Sequence, residues 1–134
     1  MEDCVFCKIA RGESQASRVY EDAQVVAFLD ARPVNEGHTL VVSRKHYENI
    51  FQIPDEEIGN LFRIVKKVAS AVLKSERAEG IRIVQNNGTA AHQNIFHIHV
   101  HIIPEYETTG SRWHRGTPRQ DELDKVADKI RRNI

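Results

Sequence analysis

The sequence predicts an α+β fold, in which a mostly antiparallel sheet is covered on one face by one long helix and a short C-terminal helix. Short segments rich in β-branched and aromatic residues follow one another along the chain. A single long amphipathic segment interrupts them, so strands and helices do not alternate as they do in a doubly wound parallel sheet. The length of 134 residues suits one domain, 1–134, with one hydrophobic core.

Five strands are predicted from apolar runs that turn-forming residues separate. Pro33 and Gly37 mark the loop between the second and third strands, and residues 86–88 form a turn before the last one. Pro104 is expected to end this last strand, which is also the longest. The strands are expected at 18–20, Val25–Leu29, Thr39–Ser43, 81–85 and 96–103.

The two helices are predicted from apolar residues that recur at helical spacing. The long helix is expected at 55–76, because Pro54 followed by Asp55 indicates a helix start and further acidic residues occupy the first turn, where the helix dipole favours them. Gly80 follows this helix. The short C-terminal helix is indicated by the spacing of Leu123, Val126, Ala127 and Ile130.

The charge balance argues against one class of partner. The chain has 19 Lys plus Arg and 19 Asp plus Glu, whereas sequence-independent nucleic-acid binding needs a basic excess. No apolar run approaches the length of a membrane-spanning helix, and the first residues lack the basic and apolar regions of a signal peptide. We therefore expect a cytoplasmic protein with neither a nucleic-acid nor a membrane partner.

Two cysteines, Cys4 and Cys7, form a C-x-x-C motif near the start of the chain. A structural disulfide is not expected in a reducing compartment, which leaves a redox dithiol or half of a metal site. A redox pair of the thioredoxin type lies in a βαβ unit, and no such unit precedes these residues, so a metal site is favoured. Two more ligands are then needed, and the candidates are His38, His46, His92, His97 and His114.

Three histidines, His97, His99 and His101, alternate with apolar residues along the last predicted strand. Since strand side chains alternate between faces, the histidines share one face, about 7 Å apart, and the apolar residues enter the core. Three imidazoles on one face have no folding rationale, because burial disfavours their charged forms. Two chemistries suit the pattern. The imidazoles could coordinate zinc, or one imidazole could attack phosphorus while its neighbours neutralise phosphate oxygens. The spacing leaves both chemistries open.

Residues 97–103, His-Ile-His-Val-His-Ile-Ile, resemble the signature of the histidine-triad (HIT) family, in which three histidines alternate with apolar residues. The opening cysteines are similar to those of the zinc-binding branch of this family, which resembles nucleoside phosphoramidases. The resemblance covers a core motif region of about 4–105 and leaves a C-terminal tail at 106–134. Further matching segments are 4–9, 28–30, 37–46, 86–88, Gln93 and 102–104.

The resemblance implies a role for each matching residue. His99 would be the nucleophile that forms a nucleotidyl-histidine with the α-phosphate of the substrate. His101 and His38 would contact phosphate oxygens, and Gln93 would complete the catalytic set near the leaving group. The residues implied in substrate binding are Asp30 on the ribose, Asn86 on a phosphate or the ribose, Asn94 beside the scissile bond, and Phe6, Ile9 and Phe28 around the base.

The function that the resemblance implies is hydrolysis of adenosine, or more broadly purine nucleoside, 5′-phosphoramidates to AMP. Three alternatives stay open: cleavage of dinucleoside polyphosphates, nucleotide binding by a regulatory protein with weak catalysis, and hydrolysis by a catalytic zinc. Asn94 stands where the family often has serine, and His92 stands where glycine is frequent, so the leaving group stays open too. His92 is either a solvent-exposed loop residue or a further phosphate contact.

The resemblance also implies a cofactor and a partner. The zinc ligands would be Cys4, Cys7, His46 and His97, a closed set of four that makes the ion structural and leaves His99 free for catalysis. The partner would be a second copy of the chain. The two copies would pair through the long helix and the strand after it, in an isologous homodimer.

Overall fold

The computed structural model describes residues 3–107 and 118–134. The tail residues between these ranges, with the candidate ligand His114, lie outside the described part. None of the described helices combines the length and the apolar character needed to cross a membrane. The helices are α1 (Val5–Ala10), α2 (Asp55–Ser75) and α3 (Gln120–Arg131), and the strands are β1 (Arg18–Glu21), β2 (Val25–Leu29), β3 (Thr39–Ser43), β4 (Gly80–Val84) and β5 (His99–Glu105).

The five strands form one sheet in the order β1-β2-β3-β5-β4, and every neighbouring pair is antiparallel. The predicted α+β class and antiparallel sheet are therefore confirmed. The chain runs through β1, β2 and β3 in succession, and α2 then carries it to β4 at the far edge. Strand β5 enters between β3 and β4, so hydrogen bonds on both sides hold the strand that carries the histidines.

The main core lies between the sheet and helices α2 and α3. Ile98, Val100 and Ile102 have fully buried side chains, and they belong to one apolar cluster with residues of both helices. Burying each of these side chains contributes about 1.5–3 kcal/mol to folding. The apolar residues that alternate with the histidines thus hold the segment against the core, and the histidines face the other side of the sheet.

Helix α1 lies on that other side and was not expected from the sequence, because six residues make too short a pattern for helical periodicity. Phe6 and Ile9 of this helix pack against Phe28 in a second apolar cluster. The two predicted helices, α2 and α3, do share one face of the sheet, and α1 is an additional helix on the opposite face. The end of the helix is held by Arg44, whose Nη1 donates to the Ala10 carbonyl at 2.6 Å.

The last strand differs from its prediction at both ends. Strand β5 begins at His99, not at 96, and it continues through Pro104 to Glu105. The proline is tolerated because pairing with β3 ends at Ile102, so only β4 borders the end of the strand. The other predicted strands and the long helix agree with the structure to within one residue at each end.

An ionic cluster around one buried carboxylate joins α2 and α3 to the loop before β3. Glu76 follows α2 and is buried, and its carboxylate lies 3.2 Å from Lys129 Nζ, which lies 3.1 Å from the carboxylate of Glu36. The Glu76 side chain also fills the space beside Gly37, where an added Cβ would be 2.7 Å from Glu76 Cγ. Because Gly37 directly precedes His38, the cluster helps to position the loop that carries His38.

We expect the stability that Glu76 contributes to fall as the pH rises. Burial, followed by a hydrogen bond with Glu36, raises the pKa of the Glu76 carboxyl from 4.5 to about 7. Between these values the folded chain keeps a proton that the unfolded chain has released. The contribution is therefore complete below about pH 4.5 and is lost as the pH rises through about 7. Its size is on the order of 3 kcal/mol.

Thermal or urea unfolding of the wild type and of Glu76→Gln, at about pH 5 and about pH 8, measures this contribution. The free energy of unfolding of the wild type should fall relative to that of the variant as the pH rises, because the glutamine stays neutral. The histidines titrate in both chains and cancel in the comparison. Glu56→Gln, which changes an exposed carboxyl of α2, is the matched control and should leave the pH dependence unchanged. A free energy of unfolding of the wild type that stays constant or rises relative to that of Glu76→Gln, as the pH increases, would contradict the prediction.

Candidate active site

A cavity of about 580 Å³ lies between α1, the segment before β1, the end of β2, the first part of β5 and α3. Its volume is within the range of small-molecule sites, about 300–1,000 Å³. His99, His101 and Asp30 form a polar end. The other lining residues are mostly apolar and include Val5, Phe6, Ile9, Phe28, Leu40, Ile95 and Leu123, together with the polar or charged residues Gln15, Ser17, Arg32, Asn94 and Gln120.

The hydrogen bonds of His99 determine which of its nitrogens can attack a substrate. Its Nδ1 lies 2.8 Å from the carbonyl oxygen of His97, and because a carbonyl can only accept, Nδ1 carries the proton and donates it. The neutral ring therefore keeps its lone pair on Nε2. Burial lowers the pKa of His99 below its usual value, so the imidazole is neutral at neutral pH. The Phe6 ring packs edge-on against it, with ring centroids 5.1 Å apart.

His38 and His101 form a second hydrogen-bonded unit, next to His99. The backbone N–H of Val34 donates to His38 Nδ1 at 3.0 Å, so the proton of neutral His38 is on Nε2. That Nε2 donates to His101 Nδ1 at 3.0 Å, which places the proton of neutral His101 on its own Nε2. Burial lowers the pKa of His38, and it lowers the pKa of His101 to about 4. The unit thus presents His101 as a neutral N–H donor.

Adjacent strands bring the other predicted residues to these histidines. His101 of β5 lies opposite Leu40 of β3, which lies opposite Phe28 of β2. Asp30 directly follows β2, and its Oδ1 accepts from the backbone N–H of Arg32 at 2.8 Å, which holds the carboxylate at the strand end. His101, Leu40 and Phe28 thus form a row across the sheet, and this row places an apolar surface and a carboxylate beside the histidines.

The apolar part of the cavity is built from the three residues that the sequence assigned to a base. The rings of Phe6 and Phe28 pack edge-to-face with their centroids 5.6 Å apart, and Ile9 belongs to the same cluster. All three side chains are largely buried and line the cavity. Such a surface favours a flat, weakly polar ring, because burying the ring removes apolar area from water on both partners.

The loop before β5 brings only one of its predicted site residues to the cavity. Asn94 lines the cavity, whereas Asn86 and Gln93 are not among its described lining residues. Gln93 is buried, and its Oε1 accepts from Gly88 N–H at 2.7 Å. Its Nε2 donates to two backbone carbonyls, one at 2.6 Å and one at 3.1 Å. In this structure Gln93 therefore holds the loop together instead of reaching towards a leaving group.

His92 has a backbone conformation that explains why glycine is frequent at this position in the histidine-triad family, which the sequence resembles. Its φ is 71°, in the left-handed region that favours glycine. The side chain is exposed and does not line the cavity. The interpretation as a solvent-exposed loop residue therefore fits the geometry of the described chain, and an additional phosphate contact does not.

A second cluster, of two thiols and two imidazoles, lies beside the histidine unit. The ligand atoms of Cys4, Cys7, His46 and His97 all lie within 4.8 Å of one another. The sulfurs of Cys4 and Cys7 are 3.2 and 3.4 Å from His97 Nδ1, and Cys7 Sγ is 3.3 Å from His46 Nδ1. A tetrahedral zinc with its usual bond lengths separates a sulfur from a nitrogen by about 3.6 Å, so the set fits this ion. The described candidate ligands outside the cluster are His38 and His92.

His97 is oriented towards the thiols by a bond on its other nitrogen. Its Nε2 lies 2.6 Å from the carbonyl oxygen of Ser43 and donates to it, so the lone pair of the neutral ring is on Nδ1. Outer hydrogen bonds of this kind orient metal-binding histidines. Burial, and then a hydrogen bond with Cys4, raises the pKa of the Cys7 thiol to about 11. Dithiol exchange and metal binding both use the thiolate, so this shift does not separate them. The two imidazoles that converge on the sulfurs are what favour a metal site over a redox dithiol.

A third group, Asp30, His38 and His101, also places its ligand atoms within 4.8 Å of one another. The hydrogen bond between the two imidazoles already uses the His101 Nδ1 lone pair and the His38 Nε2 proton. A metal ion here would have to replace that bond. The geometry therefore suits phosphate-binding imidazoles more directly than it suits a catalytic zinc.

Two cavity residues from α3, Gln120 and Leu123, were not singled out as site residues from the sequence. The apolar spacing of the tail indicates that Leu123 faces a core, but it does not indicate which strand the helix meets. Gln120 carries no recognisable motif. Only the packing of α3 near β1 and β2 reveals that both residues reach the cavity.

The fold and the site together define a class of protein: an antiparallel α+β sheet that presents two histidines of a triad, His99 and His101 of β5, to a ligand cavity. The family model of the HIT domain matches residues 11–108. The chain belongs to the HIT family, as its triad indicated.

Related sequences extend over nearly the whole chain. An uncharacterised HIT-like protein of Methanocaldococcus jannaschii is 48% identical over 96% of this chain and 98% of its own length. An adenosine 5′-monophosphoramidase of Candida albicans is 32% identical over 98% of this chain and 91% of its own length. An adenylylsulfatase of Arabidopsis thaliana is 39% identical over 78% of this chain, which corresponds to 53% of that protein.

Solved structures agree with the fold over similar lengths. A HIT-like protein from Bartonella henselae superposes with a TM-score of 0.92, at 35% identity, over 100% of this chain and 98% of its own. A zinc-bound histidine triad family protein from Mycobacterium smegmatis superposes with a TM-score of 0.87, at 31% identity, over 98% of this chain and 93% of its own.

Proposed function

We propose that residues 1–134 form a single-domain nucleotide hydrolase, which acts at the α-phosphate of adenosine or other purine nucleoside 5′-phosphoramidates and releases AMP. The observation that carries this proposal is the unprotonated Nε2 of a buried, neutral His99 in a cavity that is otherwise mostly apolar. The cavity has a polar end at the histidines and an apolar part at Phe6 and Phe28. A nucleotide, which combines a weakly polar base with a charged phosphate, matches these two parts. The relatives named as a monophosphoramidase and an adenylylsulfatase support hydrolysis at an adenylyl group.

The cavity residues divide between the parts of this substrate. The base packs against Phe6, Ile9 and Phe28, and the Asp30 carboxylate accepts hydrogen bonds from the ribose hydroxyls. Asn94, which is exposed and lines the cavity, donates a hydrogen bond to the leaving group next to the scissile bond. An amide can donate there, but unlike the serine that is common in the family it cannot relay a proton, so Asn94 influences the choice of leaving group.

In the first step, His99 Nε2 attacks the α-phosphorus. The bond between Nε2 and phosphorus forms as the bond from phosphorus to the amine nitrogen breaks, and the leaving amine takes up a proton from solvent. The imidazole becomes cationic in this step, and its Nδ1–H bond to the His97 carbonyl stabilises that charge. His101 Nε2–H donates to a phosphate oxygen, oriented by its bond from His38.

In the second step, water attacks the phosphorus of the nucleotidyl-histidine. The new phosphorus–oxygen bond forms as the bond to His99 Nε2 breaks, one proton returns to solvent, and AMP leaves with its phosphate. His99 is then neutral again, with its proton still on Nδ1. The histidine thus divides one difficult hydrolysis into two displacements, which the same phosphate-binding groups serve.

We also propose that Cys4, Cys7, His46 and His97 hold a structural zinc ion. The support is the donor set itself, with two thiols and two imidazoles within 4.8 Å of one another. The zinc-bound relative from Mycobacterium smegmatis is consistent with it. When bound, zinc supplies a crosslink between α1, the segment after β3 and the segment before β5. Four protein ligands leave no open coordination position, so the reaction at His99 does not involve the ion.

We propose in addition that two copies of the chain form an isologous homodimer through α2 and β4. Strand β4 is an edge of the sheet, and α2 presents a second apolar stripe beside it. Phe62, Leu73 and Ile83 are 36%, 40% and 42% exposed and line a groove of about 340 Å³. A second copy supplies the same apolar face and a free strand edge, so each surface is complementary to the other.

Leu73→Glu should convert such a dimer into a monomer, because two carboxylates would be buried at a self-complementary apolar interface. Light scattering coupled to gel filtration measures the mass directly. Phe51→Glu is the matched control: Phe51 is 85% exposed and lies outside the groove, so this variant should keep the mass of the wild type. A monomeric wild type, or a dimer that survives Leu73→Glu, would contradict this interface.

The proposed activity is tested by a turnover assay with three adenylyl compounds: adenosine 5′-phosphoramidate, adenosine 5′-phosphosulfate and diadenosine tetraphosphate. We expect AMP to be released fastest from the phosphoramidate. Faster cleavage of diadenosine tetraphosphate would favour the dinucleoside polyphosphate hydrolase and would make Asn94 the first residue to vary. If the chain binds AMP but turns over none of the three compounds, it is a nucleotide-binding protein and the proposed hydrolase activity is wrong.

A further inference from the structure

The row of paired residues across the sheet also shows the direction in which the cavity extends from the histidines. His101 lies opposite Leu40, Leu40 opposite Phe28, and Phe28 opposite Arg18 of β1. Three interstrand spacings of about 4.8 Å separate β5 from β1, so Ser17, which precedes Arg18, is about 14 Å from the histidine strand. A nucleoside 5′-monophosphate whose phosphate is at the histidines has its base directed towards Ser17.

That part of the cavity contains a polar group built from two separate segments. Gln120, the first residue of α3, lines the cavity together with Ser17. Gln120 Nε2 donates to Ser17 Oγ at 2.6 Å and to Asp124 Oδ1 at 2.9 Å. Ser17 Oγ in turn donates to the same Asp124 oxygen at 2.7 Å. Three side chains, two of them in the first two turns of α3, therefore form a closed set of bonds.

These bonds determine which way the Gln120 amide is turned. Both hydrogens of Nε2 have acceptors, and the opposite orientation would place the amide oxygen against the Asp124 carboxylate. The Gln120 Oε1 accepts no hydrogen bond from the described residues. An oriented acceptor thus stands at the far part of the cavity from the histidines, beyond the apolar surface of Phe6 and Phe28.

We propose that Gln120 is a specificity-determining residue, whose Oε1 accepts a hydrogen bond from the 6-amino group of an adenine base. This inference rests on the proposed function, because it takes the base to lie on Phe6 and Phe28 with the phosphate at the histidines. Ser17 and Asp124 are positioning residues that hold the amide. A purine without the amino group leaves the acceptor without a bond when the base covers it, and a site built around one hydrogen bond discriminates against such a ligand.

A purely structural role for the same bonds leads to a different result. If the Gln120 amide only attaches the start of α3 to Ser17, its loss lowers stability and weakens every ligand alike. If the amide contacts the base, its loss weakens adenine nucleotides selectively and leaves a base-free ligand unaffected. The comparison of ligands with and without the amino group therefore separates the two roles.

The experiment measures dissociation constants of the full chain by calorimetry for three ligands: AMP, purine riboside 5′-monophosphate, which lacks only the amino group, and ribose 5-phosphate, which lacks the base. The variant Gln120→Met keeps the length of the side chain and removes its polar atoms. Lys125→Met is the matched control, because Lys125 is an exposed residue of the same helix and does not line the cavity.

We expect the wild type and Lys125→Met to bind AMP about three- to tenfold more tightly than purine riboside 5′-monophosphate. In Gln120→Met the ratio should fall to about one, with ribose 5-phosphate affinity unchanged. A wild-type ratio near one overturns the inference without any variant, and so does a ratio that Gln120→Met preserves. If the purine nucleotides bind but the affinity ratio shows either of these outcomes, the proposed function stands and only this inference is wrong. If none of the three ligands binds to the wild type, both are wrong.

Discussion

His99→Ala should reduce the turnover of adenosine 5′-phosphoramidate by at least about a thousandfold. The dissociation constant of AMP should stay within about tenfold of the wild-type value, because the nucleophile acts mainly in the transition state. Turnover is lost because the variant lacks the attacking atom. In the wild type, Nδ1 donates a hydrogen bond to the His97 carbonyl, so Nε2 is the atom of this side chain that can attack. The rate of AMP release and the calorimetric affinity for AMP are the two measurements.

His92→Gly is the matched control for this experiment. It removes a histidine from the adjoining loop, and its φ of 71° suits glycine, so the variant should fold and turn over like the wild type. Because His99 also packs against Phe6, the melting temperature and zinc content of His99→Ala must be measured beside its activity. Turnover within tenfold of the wild type, in a folded variant with unchanged zinc content, would rule out His99 as the nucleophile.

Cys7→Ser should abolish stoichiometric zinc binding and lower the melting temperature by about 5–10 °C. The Cys7 sulfur is within 3.4 Å of two imidazole nitrogens, so its loss removes a ligand from the centre of the cluster. The proposed ion connects α1 to segments that are close to β3 and β5, and the free energy of metal binding therefore contributes to the stability of the fold. Elemental analysis gives the metal content, and calorimetry or circular dichroism gives the melting temperature.

Chelator treatment provides the matched comparison for Cys7→Ser. The chelated wild type should melt near the temperature of the untreated variant, and the chelator should leave the variant unchanged. Turnover should decline only as fast as the chelated protein unfolds, since the ion takes no part in the chemistry. Zinc retained in Cys7→Ser would refute the ligand set, whereas an immediate loss of activity in a folded, chelated wild type would favour a catalytic zinc at Asp30, His38 and His101.

Local patterns predicted much of the fold and the triad because the physics that they depend on is local. Alternation along one strand separates His99 and His101 from the apolar residues between and beside them, and the core has that arrangement. The strand bounds of β2 and β3 follow from β-branched and aromatic runs. The Cys4 and Cys7 spacing likewise indicated a metal site, and the two sulfurs do face two imidazoles.

The structure differs from the sequence-based expectations where a residue's surroundings depend on partners far along the chain. Pro104 was expected to end a strand, but it remains in β5 because β3 no longer borders that part of the ladder. The sequence predicts Gln93 near a leaving group, whereas in the structure its amide bonds two backbone groups of its own loop and the carbonyl of Glu48, 45 residues earlier. No local pattern marks Gln120 as a cavity residue, since its partner Ser17 precedes it by 103 residues.

The sequence by itself determined the α+β class, the histidine face of β5 and the set of residue types that the chemistry needs, because alternation and spacing are properties of a single segment. Tertiary structure alone decided which nitrogen of each imidazole carries the proton, since that depends on the carbonyls and N–H groups that other segments present to His38, His97 and His99. It also decided that α3 reaches the cavity, because helix packing joins surfaces whose distance along the chain carries no local signal.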